Sequence, residues 1–263
     1  MPCCSGLQRC HLSPTIVDCY ISAACSRNEG DYLNKVLEIR EADFGDAAQI
    51  AAVKRATWPD EEVHEGLIQK VLSLDDHRTQ SVVCDGVAAG FASGFLTKAA
   101  THVLRWELDL LAVHPDFRGR GFASKLVAAN TEAGFKMGAK NAHGLVQIEN
   151  IPSQRAFARA GYKMDPDLHS LYISKASTRE NFLRPEDLHL IQVYTMNYCG
   201  LWIEGGLSYE GFRYAQEVCQ RQRLDLVGAV IPHTHPDGIR AARESGFLLI
   251  GQYQWWTLNL SET

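Results

Sequence analysis

The 263-residue chain has no run of 18 apolar residues, so no membrane-spanning helix is expected. It has no basic excess either. The net charge of −5, from 26 Lys and Arg against 31 Asp and Glu, argues against a dedicated nucleic-acid binder. Two common phosphate loops are missing: there is no Gly-x-x-x-x-Gly-Lys-[Ser/Thr], and Gly119-Arg-Gly121 lacks the third glycine of a dinucleotide fingerprint. None of the eight cysteines is spaced as C-x-x-C. Five of them (Cys3, Cys4, Cys10, Cys19, Cys25) crowd an N-terminal stretch where His11 is the only histidine, so no metal site is expected there. The apolar stretch from Thr15 to Cys25 is broken by Asp18 and preceded by little positive charge, which makes a poor secretory signal. A cytoplasmic location is expected. With 46% apolar and 22% charged residues, the composition is that of a soluble globular protein of one large or two small domains.

What the chain does have is Val113-His-Pro-Asp-Phe-Arg-Gly-Arg-Gly-Phe-Ala123, between a strand-like run (Leu108 to Val113) and a helix-like run (Ala123 to Met137). In a strand, tight loop and helix of this kind, backbone N–H groups and the positive end of the helix dipole converge on an anion. Gly119 and Gly121 allow close approach of a pyrophosphate, and Arg118 and Arg120 add charge-assisted contacts. The alternative is a Gly-rich turn with no ligand.

Arg118, Gly121 and Ala123 match [Gln/Arg]-x-x-Gly-x-[Gly/Ala], and the segment resembles the acetyl-CoA signature of the GNAT N-acetyltransferase superfamily. Asn150-Ile-Pro-Ser-Gln-Arg-Ala-Phe-Ala-Arg-Ala-Gly-Tyr162 resembles that family's next motif, and Glu38 to Ala47 its first strand and helix. The resemblance runs from about Val36 to Lys175. It implies an α/β (α+β) fold with a mixed, mostly antiparallel central sheet flanked by helices. It also implies acetyl-CoA as co-substrate, contacted by Leu111, Ala112, Val113, Arg118, Gly119, Arg120, Gly121, Phe122, Ala123, Asn150 and Phe157. The implied reaction is direct attack by a primary amine, of a small molecule or a protein, on the thioester. No metal, nucleic acid or membrane is implied, and the chain would be a monomer or homodimer.

Removing a proton from the amine needs a base. Glu107 and Asp109 stand two apart on the expected central strand and so share a face. The resemblance assigns the role to Glu107, in the register of the base glutamate in the histone-acetylating branch, and burial would raise its pKa toward the working range. Surface or substrate-recognition charges are the other reading of this pair. The chain departs from the family at Phe157, where many members carry a proton-donating tyrosine. That departure leaves two further readings: a catalytically silent acyl-CoA-binding or protein-interaction module, and transfer of a longer acyl chain.

The expected division is a poorly ordered extension over 1–32, a GNAT domain over 33–176, and a degenerate half-domain over 177–263. Within the GNAT domain the pattern predicts a strand from Val36 and a helix capped by Asp43 and ending near Thr57, then a helix from Glu61 to Leu74. A hairpin turning at Asp85-Gly86 follows, then a strand from His102 to Val113, a helix, a strand from Ala142 to Glu149, a helix from Ser153 and a final strand pair. The tail repeats the second half of that pattern, with a strand from Leu190 to Ile203, a helix from Ser208 to Gln222 and a strand from Leu224 to Ile231. Ala241 to Phe247 echoes Ala156 to Tyr162, and aligning Gly246 with Gly161 puts His235 where Asn150 stands. Its counterpart of the phosphate loop, Glu204-Gly-Gly-Leu-Ser-Tyr-Glu210, has no Arg and two carboxylates that would repel phosphate. His233, His235 and Asp237 read either as turn residues or as a metal cluster. Trp202, Trp255 and Trp256 are the expected anchors of the tail, and Cys84, Cys199 and Cys219 are expected to be small core residues of the chain.

Overall fold

A computed structural model describes residues 37–175 and 181–260. The cysteine-rich extension expected over 1–32 lies outside them. The chain opens with β1 (Leu37–Glu41) and a single 3-10 turn, then α1 (Ala47–Thr57). As the spacing predicts, Asp43 caps this entry. Its side chain accepts from Gly45 N at 2.7 Å, and Asp46 accepts from Asp43 N at 2.9 Å, a reciprocal pair that Arg40 locks with two 2.7 Å bonds to Asp46. The second helix, α2 (Glu65–Leu72), starts later than expected, because residues 58–64 form a turn after Trp58-Pro59 and enter the helix through His64.

β2 (His77–Cys84) and β3 (Val87–Lys98) form the expected hairpin, with Asp85 and Gly86 both at positive φ (51° and 79°) as a two-residue turn requires. β4 (Leu104–Val113), α3 (Phe122–Lys136), β5 (Asn141–Gln147) and α4 (Ile151–Arg159) follow. α3 and α4 pack on one face through Trp106, Leu126, Phe157 and Tyr162, while α1 and α2 pack on another through Ile50, Ile68, Phe91 and Leu110.

The two strands expected at the end of this unit are both present, but they do not pair with each other. β6 is only Lys163–Met164, and β7 (His169–Ser174) does not pair with it. Both pair with β11 (Leu248–Asn259), which enters antiparallel between β5 and β7. The tail is built the same way. The expected strand from Leu190 to Ile203 is in fact two, β8 (His189–Tyr194) and β9 (Cys199–Glu204). They are broken by a turn in which the Thr195 hydroxyl accepts from Asn197 N and Tyr198 N. α5 (Tyr209–Gln222), β10 (Leu226–Pro232) and α6 (Pro236–Glu244) lead to β11. Here β7 stands between β10 and β11. Each half therefore inserts a strand into the other, in a single sheet of order β1-β2-β3-β4-β5-β11-β7-β10-β9-β8.

The repeat extends to the details. β4 and β5 pair parallel, as do β9 and β10. Asn150 caps α4 by accepting from Ser153 N, and His235 caps α6 by accepting from Gly238 N, each with a proline (Pro152, Pro236) in the first turn that follows. His233 bonds Ser170 and Asp237 pairs with Arg240, so each member of that trio has its own structural partner.

The sheet curls until its two ends face each other. Phe95 on β3 packs against Trp202 on β9 with ring centroids 5.5 Å apart, in a small core with Ile191, Val193 and Tyr198. Polar bonds close the same seam: His77 Nε2 meets Tyr194 O at 2.7 Å, and His189 Nε2 meets Lys98 O at 3.0 Å. Trp256 anchors β11 in the core of α3 and α4. Cys84 and Cys219 are buried as expected, whereas Cys199 is only half-buried.

Candidate active site

After β4 the chain makes a short 3-10 turn over Pro115–Phe117 and reaches the Gly-Arg loop. The arginines brace that loop: Arg118 Nε donates to Val113 O at 3.1 Å, and Arg120 donates to Asp116 O at 2.9 Å while lying over the Phe117 ring. Gly119 and Gly121 both sit at positive φ (79° and 76°), and a Cβ on either would meet nothing within 4 Å. Gly121 is the N-cap of α3 and supplies no side chain to cap it. The first-turn N–H groups of α3, with Phe122 and Ala123 in that turn, thus remain suited to an anion.

The strand leading to this loop parts from its neighbour. β4 pairs with β5 only at Arg105, Trp106 and Glu107, whereas β5 stays paired on its other edge to β11 along its whole length. The pairing to β3 slips at the same place: Leu108 faces Gly94, Leu110 faces Ser93, and Asp109 has no counterpart. Asp109 is a β-bulge, the feature expected of a strand that must open beside a thioester. Leu111, Ala112 and Val113 lie beyond it and are buried.

A cavity of about 370 Å³ opens where the strands part. One wall is Arg105, Glu107 and Asp109 of β4 with His143 of β5. The opposite wall comes from the tail, with Ile191, Trp202 and Glu204 across from them and Gly228, Val230 and Trp255 beside them. The tail's part could not be read from local sequence, since curling of the whole sheet creates it.

Glu107 and Asp109 share the cavity, as their spacing predicts, but they differ electrostatically. Glu107 is held on all sides: the Thr97 hydroxyl donates to it at 2.5 Å, His143 Nε2 stands 2.8 Å away, and Arg105 Nε stands 3.2 Å away. Burial pushes its carboxyl up, but His143, Arg105 and Thr97 together outweigh that and hold it below its ordinary value. The expectation of a raised Glu107 pKa is therefore overturned. Asp109 is the raised group. It is 6% exposed, and among the described residues no protein group donates a hydrogen bond to it. Burial pushes it up to about 7, opposed by the Lys54 charge and aided by that of Glu107.

Lys54, on α1, is 1% exposed and is drawn down to about 8 by burial, against the attraction of Glu61 and Asp109. Its ammonium donates to Met196 O at 3.2 Å and to Asn197 Oδ1, tying α1 to the β8–β9 turn. Tyr198, in the same turn, accepts from Trp202 Nε1 at 3.0 Å, and burial and Asp109 push its phenol above the ordinary range.

Two expected cofactor contacts sit elsewhere than in open space. Phe157 is completely enclosed against Gly144, Tyr162 and Trp256, so it shapes the core and presents no free surface. Asn150 is 6% exposed and committed to capping α4. Tyr162 shares a 2.6 Å bond with Thr131, and burial raises its phenol.

The tail's counterpart of the phosphate loop is filled by its own chain. Asp187 Oδ2 accepts from Gly206 N at 3.2 Å, and Ser208 caps α5 by accepting from Gly211 N. A Cβ on Gly205 would collide with Asp187 O. The backbone donors of this loop are taken by a carboxylate and a hydroxyl of its own chain.

The chain matches the family described as Acetyltransferase (GNAT) family over residues 33–162. No curated protein matches it. Among solved structures, a GCN5-related N-acetyltransferase from Sphaerobacter thermophilus shares 14% identity at a TM-score of 0.53, covering 85% of this chain and 95% of that one. The glucosamine N-acetyltransferase region of a fungal multi-domain beta-N-acetylglucosaminidase shares 10% identity at 0.57, covering 86% of this chain and 38% of that one. A putative acetyltransferase from Salmonella typhimurium, solved with its cofactor acetyl-CoA, shares 20% identity at 0.44, covering 51% and 83%. The first two extend the likeness of fold across both halves. Over residues 33–162, the chain belongs to the GNAT family of acetyltransferases.

Proposed function

We propose that this protein transfers an acetyl group from acetyl-CoA to a primary amine by direct attack, with Asp109 as general base. The observation that carries this is the bulge: it places a buried, unbonded carboxylate in the cavity where β4 and β5 part. The pyrophosphate would lie against residues 118–123, where Gly121 and the uncapped end of α3 are open. Leu111 to Val113 would offer backbone to the thioester carbonyl.

In this reading the ammonium gives one proton to Asp109, and the free amine attacks the thioester carbon. The C–S bond then breaks and a second proton from nitrogen goes to sulfur, giving the amide and CoA thiol. Asp109 returns its proton to solvent. No tyrosine acid is required, which fits the enclosed Phe157. Glu107, with its charge already matched, orients His143 and Arg105 around the acceptor and does not serve as the base.

The proposed division is a catalytic unit over 33–176 and a half-domain over 177–263 that binds no CoA of its own. Action in the cytoplasm as a monomer or homodimer completes the reading; no described helix is long and apolar enough to cross a membrane. Phe157 favours a second reading, a silent CoA-binding module. Release of free thiol from acetyl-CoA, measured with a panel of amines, separates the two: a silent module binds CoA and releases none.

A further inference from the structure

We infer that the acceptor is a primary monoamine on a compact apolar or aromatic body, bound in the cavity between β4 and the tail. This rests on the acetyltransferase reading and names the substrate class of its site.

Three features lead to that class. The first is the charge balance around the cavity. Arg105 reaches both Glu107 (3.2 Å) and Glu204 (2.7 Å), and Ala100 N donates to Glu204 at 3.0 Å, while His143 stands against Glu107. Asp165, at the cavity's side, accepts from Asp167 N. Asp109 alone among these carboxylates accepts no hydrogen bond from the described residues, and it is more than nine-tenths buried. Lys54 attracts Asp109 through its charge but gives its own hydrogen bonds to Met196 and Asn197, so one buried acceptor is left to receive a hydrogen bond from one ammonium, and a polyamine would need more such places.

The second feature is the apolar lining. Leu171, Ile191, Ile203, Val230 and two tryptophans, Trp202 and Trp255, are the bulky apolar part of the remaining wall. Trp202 packs against Phe95 and Trp255 lies against His143, and the indole surface they leave to the cavity suits a flat or aliphatic body carrying a cation. The indole N–H of Trp202 is already given to Tyr198. An aminosugar carries hydroxyls around its ring, and those turned to Leu171, Ile191 and Val230 would find no partner there.

The third feature is enclosure. The tail stands across from β4, and its bonds to β3 and β4 (Glu204 to Arg105, Trp202 against Phe95) hold the wall in place. About 370 Å³ bounded on both sides is room for a small molecule. A protein amine would have to bring a backbone past that wall.

Gly228 provides the test. It lines the cavity on β10, and a Cβ there would touch only Trp202 Cδ1, at 3.7 Å, so a larger side chain would project toward the cavity without meeting backbone. Calorimetric titration of the full chain, with CoA present, would compare phenethylamine, glucosamine and a lysine-bearing peptide. Phenethylamine should bind at least about tenfold more tightly than either. Gly228→Val should weaken it by about tenfold or more, with acetyl-CoA affinity and melting temperature preserved. Asp109→Asn, which keeps the side chain's size, should weaken it comparably and serves if Gly228→Val fails to fold. Equal or tighter binding of glucosamine or peptide, or undiminished phenethylamine affinity in the folded variants, would overturn the inference. Tight phenethylamine binding without thiol release would leave the pocket assignment intact and sink the transfer reading. Thiol release that is fastest with the peptide would do the reverse.

Discussion

Arg105 on β4 and Glu204 on β9 meet at 2.7 Å, and the same guanidinium reaches Glu107 at 3.2 Å. The side chains of Arg105 and Glu107 are only 17% and 3% exposed, so this chain of charges lies largely out of water. It joins the GNAT domain and the tail at the wall of one cavity. What happens to the tail is therefore felt by the proposed acceptor site.

Asp109→Asn should lower kcat by roughly 10²-fold, the usual loss for a general base, with acetyl-CoA affinity unchanged. In the parent protein kcat/KM should rise with pH through about 7, because the base works deprotonated, and the variant should lose that limb. Stability should move the other way. A carboxyl raised to about 7 from an ordinary value near 4 binds its proton more tightly when folded, so it lowers stability as pH climbs between those values. The variant should melt higher than the parent at pH 8 and equally at pH 4. A variant that retains full turnover at pH 7 would remove Asp109 from the mechanism.

Glu107→Gln should behave differently. Arg105 and His143 would face a neutral amide, and breaking a buried pair of this kind costs on the order of 3 kcal/mol. Turnover should drop by a similar factor at pH 6 and pH 9, since a carboxyl held below its ordinary value is charged throughout that range. Loss of the acidic limb in this variant would return the base role to Glu107.

Gly121→Asp should abolish acetyl-CoA binding in calorimetry. The added carboxylate would point into the space open to phosphate, and it would occupy a φ of +76° that side chains disfavour. Gly121→Ala separates these effects. It shares the strain and lacks the charge, so it should bind detectably while the aspartate does not.

Truncation after Lys175 should yield an aggregating or severely destabilised protein, because β5 and β7 would both lose β11 and expose bare edges. The intact chain should titrate with one CoA, since the tail's own loop is occupied by Asp187 and Ser208. A soluble, active truncation or a second CoA would contradict this account.

Features set by neighbours in sequence are legible in the sequence itself. The Asp85-Gly86 turn, the Asp43 cap and the equivalence of Asn150 with His235 all depend on a few adjacent residues, and each appears as read. Features set by distant pairing are not. The slip at Asp109 depends on where β3 sits, and the low pKa of Glu107 depends on His143, which no local pattern joins to it. The break at Thr195 left a signal in the neighbouring Asn197, but the apolar residues on either side read as one strand. The exchange of β7 and β11 left none, because a strand's apolar alternation records that it is half-buried and says nothing of which strand lies alongside.

That exchange also bears on the order of events as the chain is made. β5 and β7 are synthesised well before β11, yet β11 is the strand that lies between them. A nascent chain that has passed Ser174 holds every part of the phosphate loop and neither neighbour for those two edges. Non-local pairings of this kind form slowly and leave strand edges open to other chains meanwhile. Completion of the sheet beside β5 waits on β11, which lies beyond residues 33–162.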